Sequence, residues 1–146
     1  MNVPESFYFH AIESNAMNAI ETLRRNAGIA ASVFAVTAVI AGAFGAHALR
    51  DRLGPDAMAV WHTAVDYQFW HALALLGIAS VAQSEDPSLR WSMRFFVAGI
   101  VIFSGSLYAL ALGAPRLTGV LTPVGGLAFI AGWICLFVYF LRFRSR

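Results

Sequence analysis

The sequence predicts an all-α polytopic membrane protein, an antiparallel bundle of four transmembrane helices. Three observations carry that expectation. Of 146 residues, 59% are hydrophobic and only 12% charged, against roughly 25% charged in a soluble domain. The mean hydropathy is +0.66. The charges also fall in short segments that separate four long apolar runs, and an apolar run of about 20 residues is what a helix needs to cross a hydrocarbon core of roughly 30 Å.

The division expected is an N-terminal segment, residues 1–25, followed by a transmembrane domain, residues 26–146. The first segment carries Glu5, Glu13 and Glu21 and so lacks the basic start and apolar centre of a signal peptide. Ile12, Ala16, Ala19, Ile20 and Leu23 recur at helical spacing, which suggests a weakly amphipathic helix lying at the membrane surface. Met17 opens a stretch that reads as a natural start, so the residues before it are expected to be an extension or an overcalled start.

Span one is placed at residues 28–49, rich in alanine and glycine. A polar turn from Arg50 to Asp56 follows, with Asp56 expected to cap the next helix. Spans two, three and four are placed at residues 57–82, 91–112 and 123–141, and their short connections imply antiparallel neighbours. Thr122 is expected to cap the last helix, with Pro123 in its first turn, where the missing N–H costs nothing. Gly125 and Gly126 follow at once and suggest close helix packing or, alternatively, free amides for an anionic head group.

Small residues recur four apart as Ala38, Gly42 and Ala46, as Ala41 and Gly45, and as Ala128 and Gly132. In lipid such rows allow helices to approach closely, within the chain or between copies. Cys135 lies inside the last span and is expected to pack as a small hydrophobe.

The chain has no lysine, and its formal charge of +2 comes from arginine. Arg24, Arg25, Arg90, Arg94, Arg142, Arg144 and Arg146 fall on one side of the four runs, and Arg50, Arg52 and Arg116 on the other. Positive charge is retained on the cytoplasmic side, so both termini are expected in the cytoplasm. Nucleic acid is not an expected partner, because no broad basic face exists. The bilayer is, together with other membrane proteins or further copies of the chain.

Four blocks stand in order along the spans: Gly42-Ala43-Phe44-Gly45-Ala46-His47, Tyr67-Gln68-Phe69-Trp70-His71, Phe103-Ser104-Gly105-Ser106-Leu107-Tyr108, and Thr122-Pro123-Val124-Gly125-Gly126 with Gly132-Trp133. With them, over about residues 26–141, the chain resembles the YgdD/YwdK-like family of small inner-membrane proteins, a family of unknown function. The resemblance implies four membrane helices in the inner membrane and supplies no reaction. His62 and the N-terminal extension lie outside the family pattern.

Ionisable groups within a span are costly and mark candidate sites. His62 and Asp66, four apart, share a helix face, and His47 at the end of span one is expected near them. The trio suggests either helix ends that snorkel, with Arg50 or Arg52 neutralising Asp66, or three ligands for Zn or Cu. Deeper in span two, His71 shares a face with Tyr67, and Gln68 flanks it. His71 is expected to be neutral and hydrogen-bonded to Ser104, Ser106 or Tyr108. The resulting network, with Thr122, either fixes helix register, binds a small polar or quinone-like ligand, or serves as a proton-relay position. A haem held by His47 and His71 is disfavoured by their spacing, and no cofactor is expected.

The sequence carries no nucleophile elbow, phosphate loop, CxxC pair or HExxH helix. The expectation is therefore a non-enzymatic accessory or assembly factor, with a small transporter or ligand-binding protein as the alternative and a lipid-active enzyme as the weakest reading.

Overall fold

The computed structural model describes residues 5–84 and 86–142, with side chains from residue 13 onward. The Ile12 side chain, Arg144 and Arg146 lie outside the described residues. Helix α1 runs from Glu5 to Phe44 and continues as a π turn, Gly45–Leu49. Helix α2 is Pro55–Val81. Helix α3, Pro87–Gly99, continues through a second π turn, Ile100–Ser104, into α4, Gly105–Ala111. A 3-10 turn, Arg116–Val120, leads into α5, Leu121–Arg142. Among the described residues these make four helical rods.

Three rods are long and apolar enough to cross a membrane: Glu13–Leu49, Pro87–Ala111 and Arg116–Arg142. The fourth, α2, has the length at 27 residues but carries His62, Asp66, Gln68 and His71, and it falls short on apolar content. No break separates the segment before residue 26 from the first apolar run. Leu23, Ala27 and Ala31 of that one helix are buried in the same core as Ile78 of α2 and Leu89 of α3.

Local chemistry sets the helix starts, in two places differently from expectation. Gly54 occupies the cap of α2 with Pro55 behind it, so Asp56 sits in the first turn, where its charge favours the helix dipole, and does not cap. The 3-10 turn carries the chain into α5 at Leu121, one residue before Thr122, which frees the Thr122 hydroxyl to bond elsewhere. Asp86 caps α3 by accepting from the Ser88 amide at 2.7 Å.

The rods pack as consecutive antiparallel neighbours but do not close a ring. α3 and α5 lie tightly together, and α2 packs against α3, its π turn and α4. α1 lies along α2, touches α3 only slightly, and makes no close backbone approach to α4 or α5 among the described residues. The larger core runs through α2, α3 and α5, around Leu75, Phe96 and Phe129. A smaller one at the opposite end joins Leu49, Trp61 and Ala111.

Small residues set the closest approaches. A Cβ on Gly99 would meet the Phe129 ring, one on Gly132 the Phe96 ring, and one on Gly45 the Trp61 indole Nε1 at 2.6 Å. Ala38 is buried while Ala46 is exposed and Cys135 half-buried. Of the small residues spaced four apart on the first rod, Ala38 and Gly45 are buried within the chain and Gly42 lies beside Val65.

Candidate functional site

Two polar assemblies lie inside the helical body, both anchored on α2. In the first, Gln68 is 5% exposed, and a buried amide must find partners. Its Nε2 donates to the Phe34 carbonyl at 2.9 Å and to Thr37 Oγ1 at 2.7 Å, both on α1. Its Oε1 accepts from the Tyr108 hydroxyl of α4 at 3.0 Å. One side chain thus ties α1, α2 and α4 together. Nearby, Trp61 Nε1 donates to the Ala41 carbonyl at 3.0 Å, and its ring meets that of Tyr108 at 4.7 Å between centroids.

Around these groups lies a crevice of about 330 Å³, bounded by Thr37, Trp61, Gln68, Val101, Gly105 and Tyr108 among others. It exists because α1 and α4 do not meet. The π turn at Ile100–Ser104 adds a residue to one helical turn immediately before Gly105 and so resets which face of α4 looks toward α2. A Cβ placed on Gly105 would meet nothing within 4 Å.

The second assembly surrounds His71, also 5% exposed. Its Nδ1–H donates to the Tyr67 carbonyl one turn back at 2.7 Å, and its Nε2 accepts from Trp133 Nε1–H of α5 at 3.3 Å. A carbonyl only accepts and an indole only donates, so the ring is the neutral Nδ1–H tautomer. Its face stacks on Phe129 with centroids 3.5 Å apart and planes 13° from parallel.

Contrary to expectation, the side-chain partner of His71 is Trp133 of α5 and not Ser104, Ser106 or Tyr108, because α3 and α5 are packed so closely that Phe129 and Trp133 occupy the space in front of the imidazole. Tyr67, half-buried, packs its ring on Phe103 at 4.6 Å between centroids. Ser106 donates to the Phe103 carbonyl at 2.8 Å and shares a 2.7 Å hydrogen bond with Thr122, joining α4 to α5. Among the described residues the buried Ser104 hydroxyl has no hydrogen-bond partner.

The trio of His47, His62 and Asp66 does not assemble. All three are exposed, and among the described residues no group of three His, Cys, Asp or Glu side chains is placed to hold a metal. α1 meets α2 through Gly45 against Trp61, so residues one or two positions further along each helix turn away from the contact.

Several members of these assemblies belong to no catalytic or ligand-binding motif in the sequence. Thr37, Trp61, Phe129 and Trp133 read as ordinary residues of apolar spans. Ser92, whose hydroxyl donates to the Gly132 carbonyl at 2.9 Å in the α3–α5 seam, does too. A lone hydroxyl or indole in a span is itself a cue, since lipid offers it no partner.

The family model described as "Protein of unknown function (DUF423)" matches residues 41–126, a stretch that contains Trp61, Gln68, His71, Ser106, Tyr108 and Thr122. The chain belongs to this family. It is 43% identical over 111 residues to a UPF0382 membrane protein of Staphylococcus epidermidis, covering 76% of this chain and 91% of that protein. It is 44% identical over 110 residues to the UPF0382 inner membrane protein YgdD of Escherichia coli K12, covering 74% and 83% respectively. A UPF0382 membrane protein of Staphylococcus haemolyticus is 44% identical over 102 residues, covering 70% and 84%. No solved structure matches the chain. Family membership and the apolar helices make this a helical membrane protein of a family whose molecular function is unknown.

Proposed function

We propose that the protein is a non-enzymatic accessory factor of the inner membrane, crossing it four times with both termini cytoplasmic and supporting a larger membrane complex through α1. The observation that carries this reading is how the buried polar groups are used. Gln68 joins three helices, Ser92 and His71 bond across to α5, and Ser106 bonds Thr122. Such bonds spend reactive valences on holding helices in register, which suits a scaffold better than a catalyst. α1 meanwhile packs on essentially one neighbour and leaves Val33, Val36 and Ile40 exposed, a long face open to another membrane protein.

Four spans are favoured by the placement of α2 within the core: Leu75 and Ile78 are fully buried against its neighbours. The arginine asymmetry sets the proposed orientation, and Leu23, Ala82, Leu89 and Tyr139 sharing one core brings the arginine-rich helix ends to one side. In a Cys135→Ala background, R52C should react with an impermeant thiol reagent from outside and S84C only from inside. Labelling of both from one side would end the four-span reading. For the accessory role, mild-detergent purification after in-cell cross-linking should capture a stoichiometric membrane partner that Val36→Trp releases. Recovery of this chain alone would overturn it.

A ligand-binding role is the second reading, favoured by the crevice beside Gln68 and Tyr108.

A further inference from the structure

The crevice has a one-sided hydrogen-bonding character. The polar side chains on its wall are Thr37, Trp61, Gln68 and Tyr108, and every hydrogen they can donate is already committed. Both Nε2 hydrogens of Gln68 go to α1. The Tyr108 hydroxyl goes to Gln68, the Trp61 indole N–H to Ala41, and the Thr37 hydroxyl to the Val33 carbonyl at 2.8 Å. What stays open is acceptor capacity, on Tyr108 Oη and on the second lone pair of Gln68 Oε1. An occupant that only accepts, such as a ketone or quinone, finds no donor there.

The volume adds a size limit. At roughly 30 Å³ for a water-sized group, 330 Å³ takes on the order of ten heavy atoms, the head and first chain segment of an amphiphile. The missing contact between α1 and α4 leaves a way for the remainder of the chain into the bilayer. From these features we infer that the crevice is a binding site for a neutral lipid alcohol, whose hydroxyl donates to Tyr108 Oη or Gln68 Oε1 while its tail passes between α1 and α4. The site deepens the ligand-binding reading and does not depend on α1 having a protein partner.

The test uses the purified full chain with farnesol and farnesyl methyl ether, two probes of nearly the same body that differ in the hydroxyl hydrogen. Farnesol should raise the thermal midpoint saturably, by on the order of 5 °C at about a hundredfold excess over its Kd, and the ether should not. Gly105→Leu fills the open space beside a residue with no neighbour to displace. It should fold with a midpoint no lower than the parent's in the absence of probe and lose the farnesol shift. Equal shifts with both probes, an undiminished shift in a folded Gly105→Leu protein, or no saturable shift at all, as when water is the sole occupant, would each overturn the proposal. Should Gly105→Leu not fold, Tyr108→Phe combined with Gln68→Leu decides. The pair keeps the ring on Trp61 but removes both acceptors, and a preference for alcohol over ether that persisted in it would equally sink the idea.

Discussion

The seam between α3 and α5 and the gap between α1 and α4 are built from the same residue types to opposite ends. In the seam each glycine faces an atom. Gly99 receives the Phe129 ring, Gly132 the Phe96 ring, and Gly125 the backbone of Phe103. In the gap Gly105 faces nothing, and the helices on either side are tied by Gln68. Lipid supplies no hydrophobic drive to bring helices together, so association rests on close packing or on hydrogen bonds. The seam uses mainly the first and the gap only the second, and only the second leaves room for a ligand.

The most direct way to break that contrast is to give the seam a methyl group. In Gly125→Ala the new Cβ would overlap main-chain atoms of Phe103, which cannot swing aside as a side-chain end can. Overpacking of this kind costs about 1–3 kcal/mol, and the upper part of that range is expected here. Unfolding by denaturing detergent, followed by helical circular dichroism, should show a clearly lowered midpoint. An unchanged midpoint would mean that the seam is looser than its geometry.

Gln68→Leu comes next and attacks the gap. It removes three hydrogen bonds and leaves the Tyr108 hydroxyl without its acceptor. Single hydrogen bonds within membrane proteins average about 0.6 kcal/mol, so a loss of roughly 1–2 kcal/mol is expected in the same assay. Gln68→Glu should fail to rescue it, because a carboxylate cannot donate to the Phe34 carbonyl.

These two substitutions also mark what could be read from the sequence. The apolar runs and the polar punctuation locate the last three helical rods to within a few residues, whereas the first starts at Glu5 and not near Gly28; Gln68 and Tyr108, or Ser106 and Thr122, stand out because a polar group in lipid needs a partner. Which partner it finds depends on azimuth, and azimuth depends on features without a pattern. Each π turn adds a residue to a helical turn, at Gly45–Leu49 and Ile100–Ser104, and so rotates everything after it relative to an even count of 3.6. That is why Tyr108 could be assigned to a polar network but not to Gln68, and why His47 turns away from His62 and Asp66; His71 lies on α2, which has no π turn, and meets Trp133 and Phe129 because α5 packs closely on α3. The gap was illegible for a simpler reason: it is produced by α1 not reaching α4, and periodicity describes faces, never the distance between them.

A smaller effect sharpens the account of the seam. His71→Phe keeps an aromatic face against Phe129 and gives up the bonds to the Tyr67 carbonyl and from Trp133. The carbonyl is a helical one, so the net loss is essentially that of the indole bond, about 0.5–1 kcal/mol. His71→Ala would also empty the volume that the ring fills and should cost about 2 kcal/mol or more. Equal losses in the two variants would show that the hydrogen bonds, and not the stacked ring, hold α2 to α5.

The smallest predicted effect is the one whose sign decides most. Gly105→Ala is the same chemical change as Gly125→Ala, made inside a helix of the same rod pair, yet its methyl group enters open space. Nothing need move, and the chain loses the extra backbone freedom that glycine has when unfolded. The expected result is a gain of about 0.5–1 kcal/mol, read as a raised midpoint in the detergent titration that lowers it for Gly125→Ala. Opposite signs for one substitution at two glycines separate packing from propensity, since propensity alone predicts a gain at both. If Gly105→Ala instead lowered the midpoint, something would have to fill the space beside it in the membrane, and adding a lipid alcohol during the titration would then be expected to stabilise the parent chain alone.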